Sequence, residues 1–73
     1  MATMMVVKET TGAKVKRLRE DLTLSQRELA KLAEVSPATI LKIEQDTVAR
    51  PHPRTLRKLA EVLDVPPRDL RAD

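Results

Sequence analysis

Cysteine, phenylalanine, tyrosine and tryptophan are all missing from this 73-residue chain, and glycine occurs once. Without cysteine, neither a disulfide nor a thiolate metal site can reinforce the fold, so a core of aliphatic side chains must suffice. The single histidine, His52, has no companions that would make a metal site or a nucleophile–base pair. No metal, no cofactor and no enzyme activity are therefore expected. The missing aromatics also remove the stacking platforms that proteins use on single-stranded nucleic acid and in RNA-recognition sheets. No apolar run is long enough to span a bilayer, and Met4 to Val7 is too short for the apolar region of a secretory signal. The expectation is a soluble cytoplasmic protein with no membrane partner.

What is present is enough chain for one small domain, close to the lower size limit for unaided folding. The net charge is +3 and the isoelectric point is near 9.7, which suits a polyanionic partner. Basic and acidic residues are nevertheless spread along the whole chain, so charge alone does not pick out a binding face. With single strands and RNA disfavoured by composition, duplex DNA is the polyanion to expect.

Five prolines and the lone glycine cut the sequence into short segments whose apolar residues recur at helical spacing. The pattern predicts an all-α fold, a compact bundle of four to five short helices. Residues 1–11 carry no strong helical signal and are expected to form an arm, frayed or pairing as a strand with a second copy through Met4 to Val7. Residues 12–73 form the domain. A first helix is predicted from Gly12 or Ala13 to Asp21, burying Val15, Leu18 and Leu22, with Lys14, Lys16 and Arg17 on its other face. A fourth runs from His52 or Pro53 to Leu63 on the stripe Leu56, Leu59, Ala60 and Leu63, and Pro66-Pro67 ends it before a short turn containing Leu70.

The clearest signals lie between these two. Ser25 and Glu28 make an S-x-x-E capping box, and Leu24 can staple onto Leu29. Eleven residues later Ser36 repeats the grammar as N-cap, with Pro37 at the first helical position and Val35 able to staple onto Ile40. Two capped starts so close together enclose one short helix and a tight turn, the arrangement of a helix-turn-helix. In that motif one helix braces a second that projects into the major groove, so their crossing needs a small residue and apolar inner faces. Ala30 suits the crossing, while Leu29, Ala33, Ile40 and Ile43 supply the inner face. The 100° step per residue then places Ala38, Leu41, Lys42 and Gln45 together on the outward side, the set expected to face the groove and bind DNA.

The run S-Q-R-E-L-A-K-L-A-E-V-S-P-A-T-I-L-K-I-E, followed by P-H-P-R-T-L-R-K-L-A-E-V-L, resembles the phage repressor and Cro family of helix-turn-helix proteins over residues 13 to 70. The resemblance implies that Gln26 grips a phosphate beside the groove, that Ser36, Pro37, Ala38 and Thr39 open the recognition helix, and that Lys42 touches base edges. It also implies a structural ion pair between Arg19 and Glu44. Physical reasoning adds that Lys42 can donate to guanine and that Ala38 or Thr39 can meet a thymine methyl. Arg50 and Arg54, flanking the loop before the fourth helix, are expected on phosphates or in the minor groove.

The family commonly places glycine in three turns where this chain has Glu34, Asp46 and Asp64. A side chain at positive φ there costs about 1 kcal/mol, less for Asp, which the fold should survive. Leu41 stands where the family is commonly polar. The resulting expectation is a transcriptional regulator, a repressor, that binds a double-stranded operator as a homodimer. The alternative is an antitoxin or adaptor of the same fold, holding a partner protein through Leu41 or the arm.

Overall fold

The computed structural model describes residues 9–48 and 50–71, and every regular element among them is helical. Helix α1 spans Thr11–Asp21, α2 Gln26–Ala33, α3 Pro37–Glu44 and α4 Pro53–Leu63; a 3₁₀ turn, Pro67–Leu70, closes the described chain. The segment Met4 to Val7, expected to be an arm or a pairing strand, lies outside the described residues.

Each helix starts where a side chain satisfies its first amides. Thr10 caps α1 by accepting from the Ala13 amide, Ser25 caps α2 within a complete capping box, Ser36 caps α3 ahead of Pro37, and His52 caps α4 through Nδ1. The first helix thus begins at Thr11, slightly before the expected Gly12 or Ala13, because Thr10 supplies a cap.

Every helix ends in the same way. Thr23, Glu34, Asp46 and Asp64 have φ between 55° and 59°. The amide following each one reaches back five residues, Leu24 to Arg19, Val35 to Ala30, Thr47 to Lys42 and Val65 to Ala60, at 2.9–3.1 Å. This bond satisfies a carbonyl that the helix end would leave open, the pairing usually built around glycine. Glu34, Asp46 and Asp64 are the three turn residues singled out from sequence, and Thr23 is a fourth.

α2 packs on α3 and α4, α1 packs on α3, and the 3₁₀ turn lies against α4 and α1. The core is wholly aliphatic: Val15, Leu29, Ala30, Ala33, Ile40, Ile43, Leu56, Leu59, Ala60, Leu63 and Leu70 are buried. Ala30 is 1% exposed, as a close crossing requires. Leu22 departs from the expected stripe and is 46% exposed. It follows the last residue of α1, immediately before the reversal at Thr23, and Leu24 beyond the reversal is half-buried.

Gly12 is where α1 meets the end of α3. A Cβ at that position would collide with the Ile43 carbonyl oxygen and lie 2.6 Å from Asp46 Oδ1. Only glycine permits that approach, and Thr10 Oγ1 donates to Asp46 Oδ2 at 3.0 Å across the same junction.

Candidate nucleic-acid interface

The second capped start sets the direction of α3. Ser36 Oγ accepts from the Thr39 amide at 3.1 Å and lies 2.9 Å from Thr39 Oγ1, while Pro37 presets the first helical φ. Both hydroxyls are therefore engaged with each other, and Thr39 is half-buried. At the start of α2, the Glu28 amide donates to Ser25 Oγ at 3.0 Å and the Ser25 amide donates to Glu28 Oε1 at 2.8 Å. The latter bond lowers the pKa of Glu28 below the usual carboxylate range.

The far end of α3 is held by Glu44. Arg19 Nε donates to Glu44 Oε2 at 2.7 Å and its second terminal nitrogen donates to Oε1 at 3.0 Å, a bidentate pair whose side chains are 11% and 3% exposed. The remaining terminal nitrogen of Arg19 donates to the Leu24 carbonyl at 2.7 Å. The hydrogen bond to Glu44 raises the pKa of Arg19 further above its already high ordinary value. Gln26 Nε2 also donates to Glu44 Oε1, at 3.0 Å. One carboxylate thereby joins α1, the first residue of α2 and the last residue of α3, and no buried side-chain polar atom among the described residues lacks a partner.

Gln26, expected on a phosphate, is half-buried at the start of α2, and its amide nitrogen is turned to Glu44. Nothing in the local pattern around Gln26 pointed to a contact 18 residues away. The links from Arg19 to the Leu24 carbonyl and from Thr10 to Asp46 are likewise tertiary, with no local signature.

Between its two fixed ends, α3 buries Ile40 and Ile43 and turns Pro37, Ala38, Leu41 and Lys42 outward, with Gln45 exposed as its C-cap. Ala38, Leu41, Lys42 and Gln45 thus stand on one exposed face. Ser36 is exposed at the cap, Arg50 is exposed in the loop after α3, and Arg54 is exposed in the first turn of α4. The Arg54 amide donates to His52 Nδ1 at 3.2 Å, which makes His52 a cap.

A braced, outward-facing α3 after a tight α2 turn is the geometry of a helix-turn-helix, and the sequence profile of that family matches residues 15–70. The chain belongs to the helix-turn-helix family. Among curated helix-turn-helix proteins it is 40% identical over 58 residues to the HTH-type transcriptional repressor RghR of Bacillus subtilis (strain 168), covering 80% of this chain and 43% of RghR. The chain therefore spans less than half the length of that relative.

Solved helix-turn-helix structures superpose closely. SinR of Bacillus subtilis, in complex with DNA, matches with a TM-score of 0.80 at 31% identity, covering 84% of this chain and 97% of that one. The P22 c2 repressor, in complex with a synthetic operator, matches with a TM-score of 0.80 at 25% identity, covering 86% and 94%.

Proposed function

We propose that this helix-turn-helix chain is a sequence-specific, double-stranded DNA-binding transcriptional regulator, a repressor, that lays α3 in the major groove. The observation that carries this reading is the rigidly braced α3. Its ends are fixed by the Ser36 cap and the Glu44 network, and the side it leaves uncovered holds Ala38, Leu41, Lys42 and Gln45. The resemblance to RghR, a repressor, and to SinR and the P22 c2 repressor in complexes with DNA supports it.

In this reading Lys42 donates to guanine O6 or N7 and Gln45 reaches a base edge or phosphate near the end of the helix. Ser36 and Pro37 bring the Ala38 amide at the start of α3 close to the duplex, where Ala38 and Thr39 lie against its edge. Gln26 holds a phosphate through its remaining amide hydrogen, its orientation set by Glu44. Arg50 and Arg54 add phosphate contacts around the start of α4. Such a regulator acts in the cytoplasm as a homodimer on two half-sites and performs no enzyme chemistry.

Selection of bound sequences from a randomised duplex pool tests the reading. The expected result is enrichment of one motif with affinity that falls steeply with salt. Lys42→Ala should then relax preference at one base position, and Arg50→Ala should weaken all sequences alike. A pool that enriches nothing, with binding indifferent to salt, would overturn it.

A further inference from the structure

We propose that Leu41 is a specificity-determining residue that reads the 5-methyl group of thymine in the major groove. The inference rests on the DNA-binding reading above and specifies what the exposed face of α3 recognises. Leu41 is 42% exposed, and it is the one large aliphatic side chain of α3 that is not buried, since Ile40 and Ile43 are 0% and 2% exposed. It lies in the middle of the outward face, three residues after Ala38, next to Lys42 and four residues before Gln45.

The hydrogen-bonding groups around it are largely committed elsewhere. The Ser36 and Thr39 hydroxyls face each other at 2.9 Å, and the Glu44 carboxylate serves Arg19 and Gln26. What α3 offers outward, after Pro37 at its first position, is an apolar pair, Ala38 and Leu41, with the Lys42 ammonium and the Gln45 amide beside it. In the major groove the four base pairs present donors and acceptors, and the thymine 5-methyl is the apolar feature that a leucine can bury. Residues three apart are neighbours on a helix, and the small Ala38 leaves space beside Leu41 for a methyl group to enter. Lys42 and Gln45 keep the rim of this apolar spot suited to base edges and phosphates, which favours a duplex over an apolar protein surface.

The test removes the methyl group and nothing else. A duplex selected by the wild-type chain is resynthesised with each thymine replaced in turn by deoxyuridine, which preserves base pairing. Burial of one methyl group corresponds to about a fourfold change in affinity. The expected result is a uracil-sensitive position in each half-site at which wild type loses about that factor. Leu41→Ala should bind the thymine duplex more weakly and show no further loss at that position. Leu41 is exposed, so the variant should melt as wild type does.

A selected site with no uracil-sensitive position overturns the inference and leaves DNA recognition standing. So does a uracil effect of equal size in wild type and Leu41→Ala. A Leu41→Ala variant that binds DNA normally but has a lower molecular mass in solution assigns Leu41 to a protein interface and also overturns it. If the pool enriches no sequence at all, the DNA-binding reading fails and this inference fails with it.

Discussion

Four residues with side chains, Thr23, Glu34, Asp46 and Asp64, occupy the backbone region that glycine fills most cheaply, and each closes a helix. Three were legible because they interrupt a family pattern of glycines; Thr23 was not, since threonine between Leu22 and Leu24 carries no turn signature. Glu34→Gly should stabilise the chain by a few tenths of a kcal/mol up to about 1, because relief of strain exceeds the added freedom of the unfolded chain. Glu34→Ala should gain nothing of the kind, as its Cβ keeps the strain. Urea unfolding checks this through midpoints that shift at constant slope. The other residue-scale prediction concerns Glu28, whose carboxylate accepts from the Ser25 amide and titrates below its ordinary value. A depressed folded pKa means that the cap's charged form adds stability above the unfolded carboxylate range near 4.3, and that this contribution disappears as pH falls through the folded value. Glu28→Gln keeps the box neutral at every pH, so its melting temperature should fall less than that of wild type between pH 7 and pH 3. Equal slopes for the two proteins would refute the assignment.

Helix boundaries were the most legible feature, because caps act within three or four residues of chain. Ser25, Glu28, Ser36 and Pro37 mark their helices without reference to the rest of the molecule. How the helices are fastened together was less legible. The Glu44 network needs α1, α2 and α3 already in place, and family likeness suggested its Arg19–Glu44 pair but not the Gln26 bond or the Leu24 carbonyl. Leu22 failed for a related reason, since periodicity predicts the face of a helix but not where neighbouring elements stop covering it. The network allows an element-scale prediction. Glu44→Ala leaves the guanidinium of Arg19 buried without its carboxylate, a loss of about 3–5 kcal/mol for pairs of this kind. A chain of 73 residues has a total stability of roughly 4–11 kcal/mol, so this variant should lose from about a quarter to all of it and unfold at a much lower urea concentration than wild type. The double variant Arg19→Met, Glu44→Met removes both charges and should lose less than Glu44→Ala alone, as measured by urea unfolding. A single-variant loss under about 1 kcal/mol would show that the network does not brace α3.

At the scale of the whole molecule, the length of α3 constrains the DNA recognition proposed for this chain. Its eight residues rise about 1.5 Å each, so it is roughly 12 Å long, and at about 3.4 Å per base pair it would lie along three or four base pairs in the proposed complex. Four outward side chains over so short a stretch can define only a short word, too frequent in any genome to single out one site. Selectivity therefore calls for a second α3, and on a duplex two equivalent helices face the same side when their half-sites are one helical turn apart, about 10 base pairs. Inserting five base pairs between the half-sites turns one of them to the opposite face. The expected outcome is that binding to the altered duplex falls to the level of an isolated half-site, while substitutions that keep the spacing and lie between the half-sites have small effects. Titration of labelled duplexes by fluorescence anisotropy distinguishes these cases. A five-base-pair insertion without effect would mean that each copy binds alone, and the source of selectivity would then have to lie outside α3, as in the flanking contact proposed for Arg50.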